Sequence, residues 1–396
     1  MSNKSIMDKG RQYIMNTYGR IPIALVKGEG SRVWDADGKE YLDLVGGIAV
    51  CALGHAHPEL TAVLRDQSEK LWHCSNLYWI EPQVELAAKL CQSTGMDKAF
   101  FANSGAEANE GAIKLARKYF YRQGQNRYQI IACRNSFHGR TTGALAATGQ
   151  TKYQQGFEPL LPGIEFAEFN NLESVKALLT DKTCGILVEP IQGEGGVNPA
   201  TVEFMTGLKR ICQETGALLM LDEVQCGVGR TGDMMAFQYY GITPDIVTLA
   251  KGLGGGFPIG ALLATDEAAS GFGPGDHAST FGGNPLGCAV AHRVVEIISE
   301  PDFLAQVKNI SDYMQEKLEQ IVLKNNRASG LRGRGLLLGI EFSAEVKDLV
   351  DICRGNGLLL LSAGPRVLRF VPPLNITESE VDEALNRLEQ SLQDWK

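Results

Sequence analysis

Short apolar runs alternate with helical patterns through the middle of the chain. Six such runs occur between about residues 60 and 300, at positions 99–101, 129–133, 185–188, 217–221, 246–250 and 260–264. Runs this short and apolar are typical of strands that are buried on both faces. Their alternation with helices predicts an α/β fold, in which a mostly parallel sheet is covered by helices on both sides.

The two ends of the chain have a different pattern. Short runs at 23–26, 32–34 and 41–44, broken by turn residues, predict a small β-rich lobe. After about residue 300 the pattern predicts a long charged helix over 302–323, strands near 336–340 and 367–371, and a closing helix over 378–392. We expect residues 1–58 and 301–396 to pack together as a small α+β domain against a large domain of residues 59–300.

Composition and charge narrow the class of protein. The chain has 396 residues, of which 44% are hydrophobic and 21% charged, and its net charge is -8. This balance is typical of a globular enzyme and argues against a nucleic-acid or membrane-surface partner. The nine cysteines form no Cys-x-x-Cys pair, and no apolar leader or membrane-spanning stretch is present. We therefore expect a cytoplasmic protein that acts on small molecules.

Two predicted strands end in residues that are unusual for a surface turn. Run 217–221 leads directly into Asp222, and run 246–250 leads into Lys251 and the glycine-rich segment 252–256. Ligands of open α/β folds lie at the carboxyl ends of strands, so this carboxylate and this amine would share one edge. The pair suits pyridoxal phosphate, because a lysine holds the cofactor aldehyde as a Schiff base and an aspartate keeps the pyridine nitrogen protonated. Taken singly, a solvated turn lysine and a helix-capping aspartate are the commoner interpretations.

A turn of small residues lies before a predicted helix. The segment Asn103-Ser-Gly-Ala-Glu-Ala-Asn109 follows run 99–101 and opens that helix. Free N–H groups at a helix amino terminus bind phosphate, so Ser104, Gly105 and Ala106 are candidates for a phosphate site. A role for Ser104 as a helix cap alone fits this segment equally well.

Two other segments carry candidate chemistry. In Ser136-Phe-His-Gly-Arg140, Phe137 could stack on an aromatic ring and Arg140 could bind a substrate carboxylate, although core packing is the common role of a phenylalanine. Glu189 and Glu194 follow run 185–188. These carboxylates could cap helices, act as an acid-base pair or neutralise an arginine.

Two apparent motifs are rejected as binding sites. The segment 227–232 matches Gly-x-Gly-x-x-Gly, but it neither follows a strand directly nor opens a clear helix, so no dinucleotide site is expected. His55 and His57 have no third ligand nearby in the sequence, which predicts structural histidines and no metal site.

Six segments in this order resemble the class III aminotransferases of fold type I. They are Asn103-Ser-Gly-Ala-Glu-Ala, Phe137-His-Gly-Arg, Glu189-Pro-Ile-Gln-Gly-Glu194, Leu221-Asp-Glu-Val-Gln225, Leu249-Ala-Lys-Gly-Leu-Gly-Gly-Gly256 and Thr280-Phe-Gly-Gly-Asn284. The resemblance covers nearly the whole chain. It implies a seven-stranded, mostly parallel central sheet, pyridoxal 5'-phosphate as cofactor, and a homodimer with shared active sites.

The resemblance also implies a role for each matching residue. Lys251 would be the Schiff-base lysine, Asp222 the partner of the pyridinium nitrogen, and Gln225 the neighbour of the ring hydroxyl. The other implied cofactor contacts are Ser104, Gly105, Ala106, Phe137, His138, and Thr280, which would reach the phosphate in the partner subunit's site. The implied substrate contacts are Arg140, Glu194, Arg369, Ser279 and Tyr18.

Within this class, segments 41–50, 53–58 and 150–162 are similar to the acetylornithine aminotransferases. That similarity implies N2-acetyl-L-ornithine and 2-oxoglutarate as substrates of a ping-pong reaction in arginine biosynthesis. It also suggests that Glu194 pairs with Arg369 for the first substrate and releases it for the second; a fixed ion pair outside the pocket is the alternative. Aminotransferases for succinylornithine, N-succinyl-diaminopimelate, ornithine and 4-aminobutyrate share the core motifs, and glutamate-1-semialdehyde aminomutases share the fold and the lysine.

Overall fold

The structure is a computed structural model that describes residues 1–396. In chain order its strands, β1 to β17, are Leu25–Glu29, Arg32–Asp35, Glu40–Asp43, Lys98–Ala102, Gln129–Cys133, Ile164–Ala167, Thr183–Val188, Ile191–Gln192, Asn198–Pro199, Leu218–Asp222, Ile246–Leu249, Gly260–Ala264, Ala328–Arg334, Leu337–Phe342, Leu358–Leu359, Leu361–Ser362 and Val367–Phe370. Its α-helices, α1 to α15, are Asn3–Tyr13, Gly46–Ala49, Pro58–Ser68, Glu81–Thr94, Gly105–Arg122, Thr142–Ala147, Thr151–Gln154, Leu172–Leu178, Val202–Thr215, Ala236–Tyr239, Asp266–Ala269, Pro285–Ile298, Pro301–Lys324, Lys347–Gly355 and Glu378–Asp394.

A seven-stranded sheet forms the centre of the molecule, with the strand order β4-β12-β11-β10-β7-β5-β6. Strand β12 is antiparallel to both of its neighbours, and the other pairs in the sheet are parallel. Every residue of β7, β10, β11 and β12 is buried, which explains why these strands are continuous apolar runs in the sequence. The expected α/β fold with a mostly parallel seven-stranded sheet is therefore confirmed.

Successive residues of the central strands face opposite layers of helices. Met220 of β10 belongs to a cluster with Ile246 of β11 and Ile113 of α5 on one face. The neighbouring residues Leu219 and Leu221 belong to the larger core on the other face. Because side chains alternate along a strand, Asp222 lies on the same face as Met220, where α5 covers the sheet.

The two ends of the chain meet in one small sheet. Strands β1, β2 and β3 come from the amino-terminal part, and β15 pairs parallel with β3 through Leu358 and Leu42. Arg32 of β2 also forms an ion pair with Glu383 of α15. A further sheet has the order β13-β14-β17-β16. The segments before β4 and after α12 thus pack together, while domain boundaries at residues 58 and 300 stay a prediction.

The strand β6 was missed because it is a short edge strand with a mixed pattern. Its sequence is Ile-Glu-Phe-Ala, it pairs only with β5, and only its last residue is fully buried. The strand β13 and the helix α14 were also not predicted. Every residue of β13 is half-buried or exposed, so this strand lacks the continuous apolar character of the central strands. Helix α14 is a short amphipathic helix of nine residues, with Leu349 and Cys353 on its buried side.

The two rejected motifs have structural roles in the fold. A hydrogen bond of 2.8 Å joins His55 Nε2 to Asp43 Oδ2, and this bond to the carboxylate raises the pKa of His55 to about 10. In segment 227–232, the buried Arg230 donates hydrogen bonds to the carbonyl oxygens of Leu336 and Pro372. That arginine ties the loop after β10 to the carboxyl-terminal part of the chain. Among the helices, none has the length and apolar character that crossing a membrane requires.

Candidate active site

A cavity of about 420 Å³ opens at the end of β10 and β11, beside the amino terminus of α5. Ten of the fourteen residues expected in the site line it: Ser104, Gly105, Ala106, Phe137, His138, Arg140, Glu194, Asp222, Gln225 and Lys251. These residues come from separate parts of the chain. The carboxyl ends of the parallel strands bring them together, as the position of ligand sites in open α/β sheets leads one to expect.

Lys251 directly follows β11 and begins a short 3-10 helix, Lys251–Gly254. Its φ angle of 47° lies in the left-handed region, which is uncommon for a residue with a side chain. Burial lowers the pKa of the amine, although the nearby Glu194 carboxylate acts in the opposite direction. An amine with a lowered pKa loses its proton more readily, and Lys251 is therefore suited to act as a nucleophile or a base.

Asp222 is held by donors from three parts of the chain. Its Oδ2 atom lies 2.7 Å from Nδ1 of His138 and accepts a hydrogen bond of 2.7 Å from Nδ2 of Asn109. Its Oδ1 atom accepts a hydrogen bond from the N–H of Val224. All of these partners except Val224 are almost fully buried. The carboxylate is therefore fixed at the cavity wall without a cationic lysine or arginine bonded to it.

Ser104 caps helix α5, since its Oγ accepts a hydrogen bond from the N–H of Glu107. The capping interpretation is therefore correct for its side chain. The first turn of a helix leaves backbone N–H groups without acceptors inside the helix, and those of Gly105 and Ala106 lie at this turn. A Cβ atom on Gly105 would stand 2.8 Å from both methyl carbons of Val224, so this position has no room for a side chain.

The cavity fits pyridoxal 5'-phosphate. The buried Nε2 atom of His138 has no hydrogen-bond partner in the chain. The amino terminus of α5 can bind a phosphate, Asp222 can accept a hydrogen bond from the pyridine nitrogen, and Lys251 supplies the amine for the aldehyde. These four features together match the chemical groups of this cofactor.

Arg140 lies at the open side of the cavity, where it is exposed. Its guanidinium carbon is 4.3 Å from the ring centre of Tyr153 and 5.7 Å from that of Phe137. These distances correspond to cation–π contacts, which orient the guanidinium without neutralising it. Tyr153 was not predicted as a functional residue; its position in segment 150–162 was the only signal in the sequence.

Arg369 of β17 and Glu194 form an ion pair next to the cavity. The Nη1 atom of the arginine lies 2.5 Å from Oε1 of the glutamate, and it also donates to Oε1 of Gln225. Gln225 in turn donates to the same oxygen of Glu194. Burial acts to raise the pKa of Glu194, but the charges of Arg369 and Lys251, together with the hydrogen bonds from Arg369 and Gln225, outweigh burial and hold that pKa below its ordinary value. The glutamate lines the cavity, and the arginine lies behind it.

Two further carboxyl groups are buried near Asp222. Burial, followed by the charge of Asp222, raises the pKa of Glu189 well above its ordinary value, although Glu189 accepts a hydrogen bond from the N–H of Phe137. Burial likewise raises the pKa of Glu223 to about 8. Glu223 accepts hydrogen bonds from the N–H groups of Ala236 and Phe237. A protonated Glu189 would leave Asp222 as the dominant negative charge in this part of the cavity.

Besides Arg369, three of the expected residues do not line the cavity in this single chain. Ser279 lies at its edge, where its Oγ accepts hydrogen bonds from Nδ2 of Asn103 and the N–H of Gly282. Thr280 is exposed next to it. Tyr18 is 71% exposed and lines a separate groove of about 910 Å³ beside α1. Their assigned roles stay predictions.

Comparison with known proteins identifies the class. Residues 13–392 match the family described as "Aminotransferase class-III". The chain belongs to this family, and it is a pyridoxal phosphate-dependent aminotransferase.

Individual relatives narrow the similarity further. The chain is 52% identical over 384 residues to a protein named acetylornithine aminotransferase from Caldanaerobacter subterraneus subsp. tengcongensis, covering 96% of this chain and 98% of that protein. It is 48% identical to a succinylornithine transaminase from Yersinia pseudotuberculosis, covering 96% of this chain and 95% of that protein. Among solved structures, the chain is similar to ornithine aminotransferase from Toxoplasma gondii, with a TM-score of 0.94 and 32% sequence identity. The match covers 99% of this chain and 94% of that chain, and that structure is described with partial occupancy of pyridoxal phosphate at its active site.

Proposed function

We propose that this protein transfers the terminal amino group of N2-acetyl-L-ornithine to 2-oxoglutarate. The products would be N-acetyl-L-glutamate 5-semialdehyde and L-glutamate, and the reaction would serve arginine biosynthesis. The observation that carries the proposal is the arrangement of two arginines: Arg140 is free at the mouth of the cavity, and Arg369 is neutralised by Glu194. The similarity to the acetylornithine aminotransferase from Caldanaerobacter supports the same substrate.

The two substrates differ in charge, and the two arginines suit this difference. N2-acetylornithine has one carboxylate, which Arg140 can bind. Its acetyl group is neutral and therefore needs no ion pair with a second arginine. The second substrate, 2-oxoglutarate, has two carboxylates. A carboxylate of that substrate can replace Glu194 as the partner of Arg369, provided that the side chain of Glu194 turns away. Because an unpaired buried arginine costs about 3–5 kcal/mol, the glutamate and the substrate would exchange in one step.

Other residues of the chain would bind the cofactor and transfer the proton. When bound, the cofactor supplies an aldehyde carbon that takes up and returns the amino group, and a ring that withdraws electrons. Lys251 would hold the cofactor and then carry a proton between substrate and cofactor carbons as base and acid. Asp222 would keep the pyridine nitrogen protonated, Gln225 would lie beside the ring hydroxyl, and Phe137 would cover one ring face.

The proposed cofactor site has four further residues. Three of them would bind the phosphate, namely Ser104, Gly105 and Ala106, and the fourth is His138. Thr280 would contact the phosphate in the partner subunit's site. For the substrate, Ser279 and Tyr18 are proposed as further contacts. Neither Thr280 nor Tyr18 lines the cavity of its own chain, which is consistent with roles across a subunit interface.

We further propose a cytoplasmic homodimer with shared active sites. A cluster of exposed apolar residues supports the dimer, because soluble monomers rarely expose such a surface. Its members are Leu71, Trp72, Leu77, Tyr78, Trp79 and Phe281. Asn76, which lies between Trp72 and Leu77 in the chain, donates hydrogen bonds to the carbonyl oxygens of Ser279 and Gly282, so the cluster adjoins Thr280. All nine cysteines are free thiols, which supports a reducing compartment.

A second candidate substrate is N2-succinylornithine, because the relative from Yersinia pseudotuberculosis is named a succinylornithine transaminase and is nearly as similar. Its succinyl group carries a second carboxylate. That group would compete with Glu194 for Arg369 in the first half of the reaction, whereas an acetyl group would not.

Steady-state kinetics with a panel of amino donors test the proposed substrate. Acceptor 2-oxoglutarate is held constant, glutamate release is measured, and kcat/KM is compared for N2-acetylornithine, N2-succinylornithine, ornithine and 4-aminobutyrate. The proposal predicts the highest kcat/KM for N2-acetylornithine and an absolute need for 2-oxoglutarate. A higher value for another donor would reassign the substrate, and turnover without 2-oxoglutarate would indicate a mutase.

A further inference from the structure

Two buried polar residues form a hydrogen-bonded chain with Asp222: Asn109, which also lines the cavity, and Thr248, which does not. Thr248 of β11 is the register partner of Asp222 in the parallel pair β10–β11. Asn109, on the buried side of α5, bridges them: its Oδ1 accepts a hydrogen bond of 2.7 Å from Oγ1 of Thr248, and its Nδ2 donates one of 2.7 Å to Oδ2 of Asp222. All three residues are 3% exposed or less. The chain Thr248–Asn109–Asp222 is therefore almost completely buried.

Two fixed acceptors decide which way the amide of Asn109 points, because the carboxylate of Asp222 and the carbonyl oxygen of His138, at 2.8 Å, both require the Nδ2 donor. The hydroxyl of Thr248 donates to Oδ1 in this orientation and so holds the amide in place. In the flipped amide, the Oδ1 atom would face both the carboxylate and that carbonyl. Three acceptors would then meet without a donor in a buried site, which is costly. The observed orientation is thus the one that the neighbours allow.

As a result, the two carboxylate oxygens of Asp222 have different hydrogen-bond partners. Oδ2 is occupied by His138 and Asn109, whereas Oδ1 accepts only the N–H of Val224. A carboxylate oxygen can accept two hydrogen bonds, so Oδ1 keeps capacity for a donor in the cavity. We propose that Asn109 and Thr248 are positioning residues, which lock the carboxylate of Asp222 so that it meets the pyridine nitrogen of the cofactor. The inference rests on the proposed role of Asp222.

A pair of matched substitutions at Thr248 tests the proposal. Thr248→Val keeps the shape of the side chain and removes its hydroxyl, whereas Thr248→Ser keeps the hydroxyl. We expect the dissociation constant of pyridoxal phosphate, measured by titrating the apoenzyme, to rise roughly 10-fold in Thr248→Val. Thr248→Ser should stay close to the wild type. The visible absorbance of the bound cofactor should also titrate at a different pH in the valine variant only.

The substitution Asn109→Asp gives a second, pH-dependent readout. It places an oxygen where Nδ2 now donates, next to the carboxylate of Asp222. Two adjacent carboxylates repel each other unless they share a proton, so cofactor affinity should be weakest at high pH and recover as the pH falls. This pH dependence does not require that the threonine variants fold well. An affinity loss that is equal at all pH values would contradict the proposal.

The alternative is that Thr248 and Asn109 only fasten α5 to the sheet. In that case Thr248→Val would lower the melting temperature of the apoenzyme but leave the cofactor dissociation constant and the absorbance titration unchanged, and the proposal would be wrong. Equal losses in the valine and serine variants would also overturn it. The substitution Asp222→Asn separates the two claims. Unchanged cofactor affinity in that variant would refute the role of Asp222 itself, whereas a loss there but not in Thr248→Val would refute only the positioning role.

Discussion

Glu194 and Arg369 are 175 positions apart in the chain, yet Oε1 of the glutamate lies 2.5 Å from Nη1 of the arginine at the cavity wall. The arginine is 2% exposed, and its buried Nε atom has no hydrogen-bond partner in the chain. Glu194 is more accessible than Arg369 and lines the cavity. The glutamate is therefore the member of the pair that a substrate carboxylate can displace.

Replacing Glu194 should affect the two half-reactions unequally. In Glu194→Ala, Arg369 would be an unpaired buried cation next to the neutral acyl chain of acetylornithine, whereas 2-oxoglutarate would still bring a carboxylate to it. We expect the acetylornithine half-reaction to slow about 10- to 100-fold and the 2-oxoglutarate half-reaction by much less. Single-turnover kinetics measure both, with the exposed Glu203→Ala as control. Equal losses would indicate a purely structural ion pair.

Replacing Lys251 should remove both the attachment of the cofactor and the proton carrier. In Lys251→Ala we expect turnover to fall at least about 10³-fold and the visible absorbance of the holoenzyme to change. Lys182→Ala, at a partly exposed lysine in a turn, is the control and should behave as the wild type. Retention of both turnover and absorbance in Lys251→Ala would refute the assignment of this lysine.

The buried Glu223 should make stability depend on pH. Its pKa in the folded protein is raised from 4.5 to about 8, first by burial, so the native state holds the proton more tightly than the unfolded chain does. Stability is therefore lost as the pH rises from about 4.5, and the loss is complete above about 8. The variant Glu223→Gln has a neutral side chain at every pH, so it does not lose this stability. The melting temperature of the variant minus that of the wild type should therefore increase between about pH 4.5 and 8 and then level off. A difference that does not vary with pH would contradict a raised pKa.

The exposed aromatic cluster should hold the dimer together. Trp79 is 94% exposed in the single chain, and Trp79→Ser should weaken self-association, because an exposed tryptophan of this size gains most from burial at an interface. Sedimentation velocity over a range of concentrations measures the effect. Tyr121→Ser, which alters an exposed aromatic residue of α5 outside the cluster, should leave the dimer intact. A wild-type protein that remains monomeric at micromolar concentration would refute the dimer itself.

Local sequence patterns were sufficient for the buried strands of the central sheet. The strands that end at Asp222 and Lys251 are continuous apolar runs because both of their faces are covered. The edge strand β6 has no such run, since only one neighbour pairs with it and part of it faces solvent. The small-residue turn before α5 was likewise recognisable, because a phosphate site there needs only residues that are adjacent in sequence.

The polar residues that support the site were not predictable in the same way. Asn109 is 113 positions from Asp222 and 139 from Thr248, so their contacts exist only in the folded protein. The available signals were weak: a threonine inside the apolar run 246–250, and an asparagine on the buried side of α5. Both residues have common alternative roles in turns and caps, which local patterns cannot distinguish from a buried hydrogen bond.

The half-reactions of the purified holoenzyme test the central claim most directly. The holoenzyme is mixed with one amine at a time, N2-acetylornithine, N2-succinylornithine, ornithine or 4-aminobutyrate, without an acceptor, and the visible absorbance of the bound cofactor is followed. We predict a fast single-turnover change with N2-acetylornithine, much slower changes with the other amines, and recovery of the original spectrum when 2-oxoglutarate is added. A faster change with another amine, or no recovery with 2-oxoglutarate, would contradict the proposed activity.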